Sequence, residues 1–238
     1  MKRLTSIALA LILTVGMLSV FSLPGAAITA VTGMTVVFVD GENGVANGGA
    51  SPEAPEKSFV TATKRVANAG GGTIVLVGPS EITSNTNVGN RAAEAVIKIT
   101  SVYDGKDYRD KGSLRFPNDW KNLVLENAFV FEDVVIETLG KNNSIYADHS
   151  SVVIGYGVET KGDGKLNIFG GSAHDLSGCK NFPANSSVTV LSGSFGLVKA
   201  AGKGTADKPR PTLDARLALG EGFETTNSTG EGVLCRRR

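Results

Sequence analysis

From residue 73 onward the chain is written in short apolar runs, each bounded by Gly, Asn, Asp or Ser. They are TIVLV from Thr73, VIKIT from Val96, NLVLE from Asn122, SIYAD from Ser144, KLNIF from Lys165 and SVTVL from Ser187. Alternating apolar positions over such lengths predict β-strands. The first apolar residues inside the runs are Ile74, Ile97, Leu123, Ile145, Leu166 and Val188, spaced 23, 26, 22, 21 and 22 positions apart. The longest step holds an insertion over Tyr103–Asn118. A steady period in the low twenties predicts a solenoid. A second strand family falls between the first: Phe129–Phe131, Val134–Ile136, Val152–Ile154 and Phe195–Val198. Two or three short strands per repeat suit one coil of a parallel β-helix, here of about six coils at the ~4.8 Å strand spacing. A leucine-rich repeat shares the period but needs a Leu/Asn signature that is absent. A β-sandwich also accommodates short strands separated by turns.

One segment has a different period. From about Ser58 to Ala69, Phe59, Ala62, Val66 and Ala69 recur at near-helical spacing, with Lys64 and Arg65 off the stripe. Ser58 suits the N-cap, and Gly70-Gly71-Gly72 ends the pattern. Thr35–Asp40 precedes it as a first strand, joined by a loop rich in Gly and Asn. An amphipathic helix here would cover the open first coil.

The N-terminus belongs to neither pattern. Lys2 and Arg3 precede an uncharged apolar stretch from Ile7 to Phe21, then Pro24 and the small residues Gly25, Ala26, Ala27 and Ala30. That order predicts a secretory signal peptide cut after Ala27, with Ala30 as second choice. The apolar run falls short of the ~20 residues that span a bilayer, and no later segment is long and apolar enough to cross. The expected organisation is a signal peptide over 1–30, a strand, loop and capping helix over 31–72, the β-helix over 73–202 and an irregular tail over 203–238. The product is then secreted, with no membrane span in the mature chain. The tail lacks a strand period, which reads as the N-terminal part of a longer β-helix protein, cut short or altered near its end.

Composition narrows the partners. With 24 basic and 23 acidic side chains, nothing attracts nucleic acid. Low aromatic content, 6%, and 30 glycines favour extended β-structure with many turns. Two cysteines, Cys179 and Cys235, rule out a cysteine-built scaffold and leave a single bridge between them open. Cys and His are too few and too scattered for a zinc site.

The segment TVVFVDGENGVANGGASPEAPEKSFVTATKRVANAGGGTIVLVG resembles the opening of secreted bacterial proteins of the pectin-lyase-like, right-handed parallel β-helix superfamily. In these a first strand, a Gly/Asn-rich loop and a capping helix lead into the first coil. SSVVIGYGV and SVTVLSGSFGLVKAAG look like repeats of large clostridial-type surface proteins, and the resemblance spans about 35–202. It implies the fold and says little of activity, because the superfamily includes lyases, hydrolases and adhesins.

Lyases of this fold pair calcium-binding carboxylates with an Arg or Lys base, since a cation acidifies the uronate α-proton that the base removes. The nearest match is YDGKDYRD, where Asp104, Asp107 and Asp110 alternate with Lys106 and Arg109, continuing to Lys111. The same pattern describes a solvated loop. Asp148-His149 resembles the Asp-His pair of some pectate lyases, yet it falls at a turn where polar residues are expected anyway. His174-Asp175 likewise suits a turn. The clustered aspartates of inverting hydrolases are missing. Tyr103, Tyr108 and Trp120 flank the insertion and could stack on sugar rings; packing the insertion onto the coil is the plainer role. Asn142, Asn185 and Asn227 sit in Asn-x-Ser/Thr sequons. The expected function is a non-catalytic, adhesin-like surface module contacting extracellular polysaccharide or cell-wall glycan, with no cofactor. The alternative is a polysaccharide lyase or hydrolase, or its remnant, and only the lyase would need Ca2+. A purely structural spacer differs little from the first reading in sequence.

Overall fold

The computed structural model describes residues 35–147, 150–170, 187–199, 216–225 and 233–234. The stretch read as a signal peptide, Asp148, His149, His174, Asp175, Cys179, Asn185, Asn227 and Cys235 lie outside them.

Strand β1 (Thr35–Val39) leads through a loop into the helix α1 (Phe59–Asn68). The chain then makes repeated passes, each adding strands to the same sheets. The first pass is β2 (Gly72–Leu76), β3 (Ser80–Glu81) and β4 (Thr86–Val88). The second holds β5 (Val96–Thr100), a small hairpin of β6 (Val102–Tyr103) and β7 (Lys106–Asp107), then β8 (Ser113–Phe116) and β9 (Asn122–Leu125). β10 (Ala128–Phe131), β11 (Val135–Thr138) and β12 (Asn143–Ala147) form the third. β13 (Ser151–Ile154), β14 (Glu159–Lys161) and β15 (Leu166–Gly170) form the fourth. Beyond it come β16 (Ser187–Phe195) and β17 (Val198–Lys199), then β18 (Arg216–Thr225) and β19 (Val233–Leu234).

All of these pair in parallel except the hairpin β6–β7. Sheet A runs β1-β2-β5-β10-β13-β16-β18, sheet C runs β3-β8-β11-β14, and sheet D runs β4-β9-β12-β15-β17-β19. The chain is thus largely parallel β-structure with a single helix among the described residues.

The two-residue period of a strand puts alternate side chains inside, and parallel register stacks each on its counterpart one pass away. In sheet A one such column is Val37, Ile74, Ile99, Phe131, Ile154 and Val190. In sheet D Leu123, Ile145, Ile168 and Val198 form another. All are buried within one apolar cluster. Outside sheet D a smaller apolar group, Val124, Tyr146 and Phe169, stacks with Tyr146 and Phe169 ring centroids 5.3 Å apart. Outside sheet C, Glu81, Arg115, Glu137 and Lys161 stand in register as a row of alternating sign. Arg115 Nε reaches Glu137 Oε2 at 3.1 Å.

Helix α1 packs on β1, β2, β4 and β5. Its buried face is Phe59, Ala62, Thr63, Val66 and Ala67, and all but Thr63 join the interior cluster at the first pass. Ser58 Oγ accepts from Thr61 N at 3.1 Å, as an N-cap should. The buried Glu56 carboxylate accepts from Ser58 N at 3.0 Å and Arg65 Nη2 at 2.9 Å, while Arg65 Nη1 donates to Gly48 O. This clasp ties the loop to the helix. Gly72 follows with φ 154°, and a Cβ there would lie 2.0 Å from Thr35 O, so only glycine lets β2 close on β1.

Three expectations change. The six runs taken as one repeat belong to two sheets: β2, β5 and β16 to sheet A, and β9, β12 and β15 to sheet D. The even spacing across them mixes positions that are not equivalent. True equivalents are 22 and 23 residues apart in Leu123, Ile145 and Ile168, but 37 apart in Thr86 and Leu123. Likewise the insertion is confined to the hairpin and its return to Gly112, because Ser113–Phe116 is a regular strand of sheet C. The tail expected to be irregular contributes β18 and β19 to sheets A and D.

Truncating an interior ring should be costly. Phe129→Ala is expected to lower stability by about 3–5 kcal/mol, while Val130→Ala, outward on the same strand, should cost under about 1 kcal/mol. Urea unfolding of the two variants, compared at equal slope, measures the difference; equal midpoints would refute the inward assignment.

Candidate functional site

The hairpin that carries the aspartate cluster is organised by one ion pair. Arg109 Nε donates to both Asp107 oxygens at 3.0 Å and Nη2 to Oδ2 at 2.6 Å, while Arg109 N donates to Oδ1 at 3.0 Å. Hydrogen bonds from Arg109 hold the Asp107 carboxyl down at about 2, and the guanidinium is raised in return. Asp104 occupies the hairpin turn at φ 51° and Asp110 is exposed beyond it. Both Asp107 oxygens are committed to Arg109, so this donor set does not fit a calcium site. Among the described residues no group of three His, Cys, Asp or Glu could hold a metal. Asp163, exposed in the turn between β14 and β15, lies at a different corner from Asp104.

The aromatic trio is not one site either. Tyr103 packs edge-on against Phe38, ring centroids 5.7 Å apart, and so fastens the hairpin to β1. Tyr108 is half-buried, and its backbone bonds Ser101, Lys111 and Gly112 to shape the return. Trp120 sits elsewhere, on the corner where the chain passes from sheet C to sheet D between β8 and β9. It is 68% exposed, and its backbone is left-handed at φ 58°.

That conformation is costly for a bulky L-residue, by roughly 1–2 kcal/mol. The neighbouring pass imposes it. Trp120 N donates to Lys141 O at 2.9 Å, Lys141 N to Asp119 Oδ1 at 2.7 Å, and Lys121 N to Asn143 Oδ1 at 2.7 Å. A Cβ on Gly140 would come 2.1 Å from Asn118 C, so the two turns touch backbone to backbone. Register makes Asn122 the partner of Ser144, so Asn142 is the counterpart of Trp120, and it has φ 57°. Asparagine tolerates this region. The fold therefore asks for Asn or Gly at this corner, and a tryptophan there neither fills the core nor eases the backbone. Leu139, 61% exposed, follows Thr138, the register partner of Phe116, on the same corner one pass along.

Sequence reasoning named Trp120 for its position beside the insertion, and missed Leu139 and Tyr156. Tyr156 is 71% exposed in the turn between β13 and β14, where its carbonyl accepts from Asp133 N at 3.0 Å. Its flanking glycines, Gly155 and Gly157, were the available signal. Close to it in the fold, Arg109 Nη1 lies 3.8 Å from Glu159 Oε1 and so reaches from the second pass to the fourth. Sequence also gave no sign of a groove beside the start of α1.

No family model, curated protein or solved structure matches this chain. No helix among the described residues is long and apolar enough to cross a membrane.

Two outcomes follow from the geometry. Trp120→Asn should raise stability by about 1 kcal/mol through relief of the left-handed strain; a lower melting temperature would mean the indole is a packing residue. For Asp107 the folded value lies below the ordinary 3.8, so its contribution is present above that value and is lost as pH falls through about 2. Carboxyl-carbon NMR should place its midpoint there, and Arg109→Gln should return it towards 3.8. An unchanged midpoint in that variant would assign the shift to another group.

Proposed function

We propose that the chain is an exported, right-handed parallel β-helix that works outside the cytoplasm as a non-catalytic surface module contacting glycans. The fold reading is supported by three parallel sheets that each gain a strand on each of the first four passes, and by their shared interior columns. The resemblance read in residues 35–202 to pectin-lyase-like proteins points the same way. Export rests on the positive, apolar and small-residue order of the first 30 residues.

The observation that carries the glycan reading is Trp120. An indole held in the open, against the backbone preference of its position, serves neither packing nor the turn. Its flat apolar face suits the CH face of a sugar ring, and its N–H remains available to a hydroxyl. The polar residues beside it, Asn118, Asp119, Lys141 and Asn142, are exposed and supply donors and acceptors. A lyase would need a basic residue beside a cation-bound uronate, and the described carboxylates offer no such grouping.

Screening the full chain on a polysaccharide array, alongside an absorbance assay for unsaturated uronate products, tests this. Retention on at least one glycan is expected, weakened about 5- to 10-fold by Trp120→Ala, with no product absorbance. Sustained turnover of a polyuronate would replace the proposal with the lyase reading, and retention on no glycan would leave a structural spacer.

A further inference from the structure

A groove of about 610 Å³ opens at the first pass, between the start of α1 and the run Pro79–Thr86. That is within the range of small-ligand sites, roughly 300–1,000 Å³. Ser80 lines it, and Ser80 Oγ is the one buried side-chain oxygen among the described residues that has no hydrogen-bond partner. A buried hydroxyl left unpaired is destabilising by about 1–3 kcal/mol unless something outside the fold completes it.

Other unpaired groups belong to residues that line the same space. Ser58 Oγ and Ser58 O take the amides of Thr61 and Ala62, which leaves the Phe59 and Val60 N–H groups at the helix start without partners. β3 is the edge strand of sheet C, bonded to β8 on one side only. Beneath these polar groups the side chains of Phe59 and Ile82 are apolar and buried.

We infer that this groove is a binding site for a neutral saccharide, formed where the helix covers the first pass. The inference rests on the glycan reading above and gives it a second contact point. Charge selects the class of ligand: Lys57 and Arg115 stand against Glu42 and Glu81, so the lining carries no net charge to favour a polyanion. Sugar hydroxyls both donate and accept, which matches free amides, an orphan hydroxyl and carboxylates around an apolar floor. An extended peptide is the weaker fit, because β3 offers only two residues for strand addition.

The groove also leads to Trp120. Its lining includes Ser84, and the next residue, Asn85, accepts from Asn122 N through Oδ1 at 3.1 Å. Asn122 is two residues beyond Trp120, so the groove's lip and the indole belong to adjoining turns of one corner. A chain longer than the groove has a path from it onto the tryptophan.

The test is calorimetric titration of the full chain with β-1,4-linked glucose and mannose tri- and hexasaccharides, hexagalacturonate, and a Ser/Thr decapeptide. A neutral trisaccharide is expected to bind. Ser80→Ala should weaken it about 5-fold without lowering the melting temperature, since the variant removes an unpaired hydroxyl. Thr83→Phe, which fills the groove from an exposed position, should weaken it at least about 10-fold. Trp120→Ala should weaken the hexasaccharide and leave the trisaccharide unchanged. Fluorescence of Trp120, the chain's single tryptophan, follows the longer ligand directly. Neutral-saccharide affinity unchanged in both groove variants would overturn the inference, as would preference for the peptide or for hexagalacturonate. If Trp120→Ala alone abolishes binding, the groove falls and the glycan function stands. If the unaltered chain binds no saccharide, both fall.

Discussion

Everything in this molecule depends on interior side chains meeting their counterparts one strand away. Parallel register fixes that spacing, so a column such as Val37, Ile74, Ile99, Phe131 and Ile154 is continuous only while every pass keeps its inward residues in step. Such a column has an unavoidable weakness at its first member, which has a neighbour on one side only. Helix α1 supplies the missing surface with Phe59, Ala62 and Val66. The helix in turn is held by the Glu56–Arg65 clasp and by Thr63 Oγ1, which accepts from Gly89 N at 3.2 Å.

Much of this was legible in the sequence, because it follows from local rules. The strand at Val96–Thr100 and the helix starting after Ser58 were placed to within a residue by alternation, helical spacing and an N-cap. Which sheet each strand joins was not legible. Ile97 and Leu123 look alike in a list of apolar runs, yet one stacks on Phe129 in sheet A and the other on Ile145 in sheet D. Sheet membership depends on how many residues each corner consumes, and corner lengths vary with loops such as the hairpin at 102–112. The strands at 216–225 and 233–234 escaped for the related reason that pairing partners, more than local pattern, define them.

The candidate site was legible only in name. Trp120 stood out as an aromatic beside the insertion, but its backbone conformation and its equivalence to Asn142 exist only once adjoining passes are stacked. The aspartates of YDGKDYRD fitted a ligand set and a solvated loop alike, because sequence cannot tell which carboxylate an arginine two residues away will take. The groove arises from two separate chain segments, Lys57–Val60 and Pro79–Thr86, and from a hydroxyl whose lack of a partner no sequence can reveal.

The row Glu81, Arg115, Glu137, Lys161 also bears on how such a chain can lengthen. Each charge faces its opposite one pass away, and each exposed pair contributes only up to about 1 kcal/mol. Copying a single pass into this sheet would set arginine beside arginine or glutamate beside glutamate. Copying two together restores the alternation. The outer face of sheet C therefore has a parity, and growth of the array by duplication is matched to it only in even steps.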